Sequence, residues 1–108
     1  MLPDGWVAIV KRDCPTCVLV EPVLHQLHAA GSLTVVSQDD PAFPAGVTVL
    51  DDRDLETSWR AQVETVPTLL RVEAGAEVAR TVGWLRTAWE ELTGVSGLGP
   101  DLPDHRPG

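Results

Sequence analysis

Trp6-Val7-Ala8-Ile9-Val10-Lys11-Arg12-Asp13-Cys14-Pro15-Thr16-Cys17 is the stretch that decides how this chain folds. Its apolar start, partly β-branched and bounded by Gly5 and Lys11-Arg12, predicts a buried parallel strand. The only two cysteines follow at once, one helical turn apart. A thiol performs disulfide exchange as its thiolate, and at a helix N-terminus that anion meets unpaired backbone N–H groups and the positive end of the helix dipole. Cys14 falls at such a terminus. Pro15, next inside, lacks an N–H that the first turn would leave unpaired anyway, and its ring presets the helical φ. Cys17, one turn deeper, is placed to attack a mixed disulfide on Cys14 and release the partner reduced.

The same spacing is also half of a four-ligand zinc site, for which His25 and His28 are the available partners. If Pro15 to Ala30 is one helix, Cys17 and His25 stand about 12 Å apart along its axis, too far to share an ion. The histidines are better read as partly solvated residues in the C-terminal half of that helix, where their protonated forms suit its dipole. No metal is expected.

A chain of 108 residues with 44% hydrophobic content supports one domain with a modest core. No stretch approaches about 18 uncharged apolar residues, and the N-terminus lacks the basic start and apolar block of a signal peptide. The expectation is a cytoplasmic domain without a membrane segment, or an exported one if a leader has been removed. Two cysteines in one turn do not make a structural disulfide framework. The net charge of −8 argues against nucleic acid and anionic membranes as partners. The dense run Asp51-Asp52-Arg53-Asp54 reads as a strand end followed by a helix N-terminus, where Asp serves as cap.

Outward from the cysteines, Val18, Leu19, Val23, Leu24 and Leu27 recur at helical spacing, Pro22 should kink that helix, and Gly31 ends it. Leu33 to Ser37 and Val47 to Leu50 read as strands separated by a Pro-rich loop, and Leu55 to Val63 as a short helix carrying Trp59. Strands at Val66 to Leu70 and Glu77 to Val82 flank the turn Ala74-Gly75-Ala76 as a hairpin. Trp84 to Gly94 is an amphipathic helix with Leu85, Ala88, Trp89 and Leu92 on one face. Residues 95–108, rich in Gly and Pro and without periodicity, are expected to be a flexible tail or linker after a domain spanning 1–94.

The order strand, CxxC helix, strand, helix, Val-Pro-Thr strand, hairpin, helix resembles the thioredoxin-like superfamily over Trp6 to Gly94. Cys14 and Cys17 match the family's nucleophilic and resolving cysteines, and Pro22 matches its helix-kinking proline. Val66-Pro67-Thr68 looks like the cis-proline loop. Gly75 and Gly83 match the glycines of the last hairpin and before the final helix. The resemblance implies an α/β thioredoxin fold, with a mixed central sheet flanked by helices. It also implies that Val66, Pro67 and Thr68 form the substrate-binding loop, where the backbone of Val66 pairs with an extended segment. The long insertion between Cys17 and Pro67 is similar to the TlpA/ResA branch.

Two departures concern activation. Asp13 stands where thioredoxins usually carry Trp, and Ala8 replaces the buried aspartate of the preceding strand. Asp13 is expected to cap the active-site helix or to assist proton transfer; its charge opposes the Cys14 thiolate, whereas Lys11 and Arg12 favour it. Trp6, Trp84 and Trp89 are expected in the core or at the sheet edge, and Trp59 is a residue that could border the site.

The expected activity is that of a thiol–disulfide oxidoreductase enzyme, running as a disulfide reductase without cofactors. Its partners would be a protein disulfide and an upstream thiol reductant, and the chain would be a monomer. The alternatives are a thioredoxin-like module whose cysteines bind a soft metal such as Cu(I) or Hg(II), and a docking module without redox turnover.

Overall fold

Val7 to Val10 exclude solvent completely, and that burial on both faces makes the first strand the centre of the sheet. In the computed structural model, which describes residues 2–108, β1 (Gly5–Val10) pairs in parallel with β2 (Leu33–Ser37) and antiparallel with β4 (Thr68–Glu73). β3 (Val49–Asp51) extends β2 in parallel, and β5 (Ala76–Val82) extends β4 as an antiparallel hairpin, giving the mixed order β3-β2-β1-β4-β5.

Alternation along β1 divides the interior in two. Ala8 and Val10 join Val35 and Leu69 in the larger core, beneath Val23, Leu24 and Leu27 of one helix and Trp89 and Leu92 of another. Val7 and Ile9 face the other side with Val36, Leu70 and Val72, against which Val63 and Val66 pack.

The expected single helix from Pro15 to Ala30 is two: α1 (Pro15–Leu19) and α2 (Glu21–Ala30), meeting at Val20. Pro22 is the reason. It has no N–H for the carbonyl of Val18 four residues back, so the ladder breaks there and restarts with the Leu24 amide donating to Val20 at 3.0 Å. The N-cap residue of the next helix is Leu55 and not an Asp, yet the acidic run supplies the acceptors for its first turn. Asp52, almost wholly buried, accepts from the Thr57 amide at 2.8 Å, the Ser58 amide at 3.0 Å and the Ser58 hydroxyl at 2.6 Å, anchoring the start of α3 (Glu56–Arg60).

After β5, Trp84–Leu85 forms a short strand, β6, before α4 (Arg86–Thr93). Leu85 is therefore exposed and not on the packed face of that helix. Trp84 and Trp89 are buried edge to face at 5.3 Å, while Trp59 on α3 is 80% exposed.

Residues 95–108, expected to be a flexible tail, lie against the domain instead. Leu98 is completely buried in the larger core. The Gln26 side chain donates to the Gly97 carbonyl at 3.0 Å and accepts from the Gly99 amide at 2.8 Å. Arg86 is the principal clasp: its guanidinium donates to the carbonyls of Leu98 at 2.9 Å and of Gly99 and Leu102 at 2.7 Å, and pairs with Asp104. The Trp84 indole N–H adds a bond to the Pro103 carbonyl at 2.7 Å, and β7 (His105–Arg106) pairs with β6. Here backbone carbonyls are satisfied by side chains from elsewhere in the chain, so order needs no periodic pattern.

Replacing Leu98 by Ala should therefore lower the free energy of unfolding by about 2–5 kcal/mol, the cost of a core cavity. Urea titration of L98A reads this directly; a change within error would mean that the segment is not part of the core.

Candidate active site

The β1 strand ends where the cysteines begin, and the turn between them is held by one carboxylate. Asp39, just beyond β2, accepts from the backbone amides of Arg12 at 2.7 Å and Asp13 at 2.9 Å. Partial desolvation would raise its pKa, but the amides of Asp13, Arg12 and Asp40 and the charge of Lys11 outweigh that and hold the carboxyl below its ordinary range. Asp39 thus stays ionised as a bracket between the ends of β1 and β2. Arg12 pairs with the neighbouring Asp40 at 3.1 Å.

Cys14 itself is the N-cap of α1, with extended backbone (φ −151°, ψ 113°), and its Sγ accepts from the Cys17 amide at 3.3 Å. The cap expected of Asp13 is therefore occupied. Pro15 at the first helical position makes the residue before it the cap, and Asp13 lies one residue too far out, with its side chain exposed. The Cys14 thiol donates to the Val66 carbonyl at 3.7 Å. The Val66–Pro67 peptide is cis. The structure thus brings Cys14, Cys17 and Val66 together, with Thr68 opening β4 just behind and its hydroxyl donating to Thr65 at 2.6 Å. A second cis peptide, Phe43–Pro44, lies in the Pro-rich loop, where no sequence signal separates it from a trans bond.

The two sulfurs differ in environment. Cys14 is partly exposed, Cys17 fully buried, and both are free thiols. Burial pushes the Cys17 thiol far above its ordinary value of 9.0; its hydrogen bond with Cys14 adds to the rise, and the Cys14 and Asp39 charges contribute further. Cys14 is the shallower of the two residues, and the inner thiol keeps its proton.

Sequence reasoning did not find Asp39, Arg86 or the role of Thr16. Thr16 is buried between the cysteines, and its hydroxyl donates to the Pro107 carbonyl at 2.7 Å, 91 positions away. Of these, Asp39 alone had a local signal, an acidic pair directly after a strand. His25 approaches Glu21 at 4.0 Å. Among the described residues, no group of three or more His, Cys, Asp or Glu side chains is arranged to hold a metal ion. No helix among them is long and apolar enough to cross a membrane.

Superposition on solved structures matches the reduced thioredoxin pre-protein of Schistosoma mansoni, with a TM-score of 0.50 and 19% sequence identity, over 74% of this chain and 68% of that one. The chain has the thioredoxin fold. No protein-family model matches the sequence, and no curated protein matches it. Fold and a CxxC-spaced cysteine pair are compatible with redox chemistry.

The Cys17 environment has a measurable consequence. The folded state holds this proton more tightly than the unfolded chain, so the associated stability is complete below the unfolded thiol value, declines as pH rises beyond it, and is fully lost only above the folded value. Between about pH 8 and pH 10 the urea midpoint of the dithiol form should fall, and it should fall less in Cys17→Ala. Parallel pH profiles for the two proteins would contradict the buried-thiol assignment.

Proposed function

We propose that this chain is a thiol–disulfide oxidoreductase that works as a disulfide reductase through Cys14 and Cys17. The observation that carries the reading is the cap geometry. The Sγ of the partly buried Cys14 meets the Cys17 amide at 3.3 Å and lies beside the Val66 carbonyl at 3.7 Å. A nucleophilic sulfur, a backbone donor for its anion and a backbone edge for an extended partner thus share one place.

In the first step the Cys14 thiolate attacks one sulfur of a protein disulfide. A bond forms between the two, the substrate S–S bond breaks, and the electron pair leaves with the other substrate sulfur. Val66, Pro67 and Thr68 present the loop against which the partner's backbone is held. In the second step Cys17 loses its proton and attacks Cys14 Sγ, the mixed disulfide breaks, and the second substrate sulfur leaves as a thiolate that takes up a proton. Two electrons have passed to the substrate, and the Cys14–Cys17 disulfide requires an upstream thiol reductant to restore it. No cofactor enters either step.

Burial is the largest cause of the raised Cys17 value and persists in the mixed disulfide, so deprotonation of Cys17 controls resolution. Ala8 stands where thioredoxins carry a buried acid. Asp13, exposed at the rim, is the carboxylate next to Cys14 in sequence and is assigned to proton exchange with solvent. The inserted segment containing β3 supports placement near the TlpA/ResA reductants, and the reductant direction rests on that likeness.

Insulin reduction driven by dithiothreitol, followed with intact-mass analysis, tests the mechanism. Cys14→Ser should abolish activity, and Cys17→Ser, reduced and then mixed with insulin after the dithiothreitol is removed, should accumulate a mixed disulfide on Cys14. In the native chain the resolution rate should rise about tenfold per pH unit from neutrality upward, as the thiolate fraction does well below its pKa. Full activity in Cys14→Ser would end the proposal. Equilibration with glutathione and dithiothreitol buffers tests direction: a potential near about −270 mV fits a reductant, and one near about −120 mV would make the protein an oxidant.

A further inference from the structure

We propose that residues 105–108 form a strap over the backbone groove beside Cys14, occupying the place of an extended substrate segment, and that the strap must lift before a large partner can dock. The assignment of that groove to substrate rests on the exchange reading above; the presence of the strap rests on contacts.

Residues 106–108 touch three separate elements around Cys14. On the α1 side, the Thr16 hydroxyl, buried between the two cysteines, donates to the Pro107 carbonyl at 2.7 Å. On the cis-proline side, Gly108 lies so close to the Val66 carbonyl and to Thr65 that a β-carbon on it would collide with both. That same Val66 carbonyl is the acceptor of the Cys14 thiol. On the third side, Gly83 turns from β5 into β6 at φ +75°, and a β-carbon there would stand 3.1 Å from the Gly108 nitrogen and 3.3 Å from the Arg106 carbonyl. Glycine at both positions lets two backbones approach as a docked peptide does.

The way the strap is held suits opening. Up to Asp104 the segment is clasped by Arg86, the Trp84 indole, Gln26 and buried Leu98. Beyond it, residues 105–108 are all exposed and are retained by the short β6–β7 pairing, the Thr16 hydroxyl and the close seating of Gly108. Such a lightly held segment opens at low free-energy cost while its anchor stays closed. Tethering gives the strap a high effective concentration at the groove, so an extended disulfide-bearing segment must compete with it. The apparent reactivity toward large partners is then reduced by the open fraction. A small reagent needs far less of this opening to reach the partly buried Cys14 than a large one does.

The test compares modification of Cys14 in the reduced 108-residue chain by iodoacetamide and by a maleimide carried on a long polyethylene glycol chain, read by intact mass. Gly108→Val places a side chain against the Val66 carbonyl and unseats the strap; a chain ending at Asp104 is the second variant. Both should raise the rate with the bulky reagent about threefold or more relative to iodoacetamide, the factor by which the open fraction grows, with unchanged circular dichroism. A bulky-to-small ratio equal to that of the native chain in both variants overturns the strap. So does equal acceleration of both reagents, which reports a loosened domain. The readout needs no turnover. A raised ratio in a protein that cannot reduce insulin would leave the strap standing and remove the oxidoreductase reading. An unchanged ratio in an active protein would do the reverse.

Discussion

Burial of β1 on both faces is the constraint from which the remainder of the molecule is built. Val7 and Ile9 close one core and Ala8 and Val10 the other, so the strand must lie inside the sheet, with β2 and β4 as its neighbours. Its C-terminal end is consequently fixed to within the tolerance of a close-packed interior. Everything catalytic in the proposed mechanism hangs from that end. The chain leaves the strand, is bracketed by Asp39 to the parallel neighbour, and enters α1 with Cys14 as the cap. The cis-proline loop arrives from the antiparallel neighbour on the other side, bringing Val66 to Cys14.

The electrostatics of the site follow from this placement. The chain is strongly acidic, yet the carboxylate next to the cysteine turn is engaged by backbone amides and the adjacent Asp40 by Arg12. What separates the two thiols is depth. The cap is at the surface, and one helical turn further in the side chain reaches the core, where a charged sulfur is disfavoured. An N-terminal helical turn abutting a buried strand thus sets a partly buried thiol beside a deeply buried, protonated one without further residues. The price is a proton with no buried acid to receive it.

The C-terminal segment joins stability to function. Arg86 lies near the middle of a network of backbone carbonyls from residues 98–104, stacks near the Trp84 ring at 5.8 Å and leaves the following residues aimed at the groove. A clasp that orders a Gly- and Pro-rich segment also delivers its end to Thr16 and Val66. The same contacts that complete the larger core therefore place residues 107 and 108 against Thr16 and Val66.

Most elements of the thioredoxin fold were legible in the chain because their signals are local, and the resemblance of their order to thioredoxins then named the fold. An unbroken apolar run announces a strand buried on both faces, Cys14-Pro15-Thr16-Cys17 a helix start with two thiols one turn apart, and the hairpin glycine at 75 a change of direction. Residue spacing alone carries such information, since periodicity and turn chemistry act over a few positions. Pro22 was legible as a disturbance, although the full break at Val20 required knowing that no other group rescues the ladder. Asp39, Arg86 and Thr16 were not legible, and the order of residues 95–108 was misjudged, for a common reason. Each acts on backbone atoms between 12 and 91 positions away, and a hydrogen bond to a distant carbonyl leaves no pattern in the neighbouring residues. Composition and spacing settled which elements form and where the thiols sit; packing of the whole chain settled which thiol is buried, what braces the turn before it, and which segment lies across the groove, because these depend on distances that exist only once the strands are side by side.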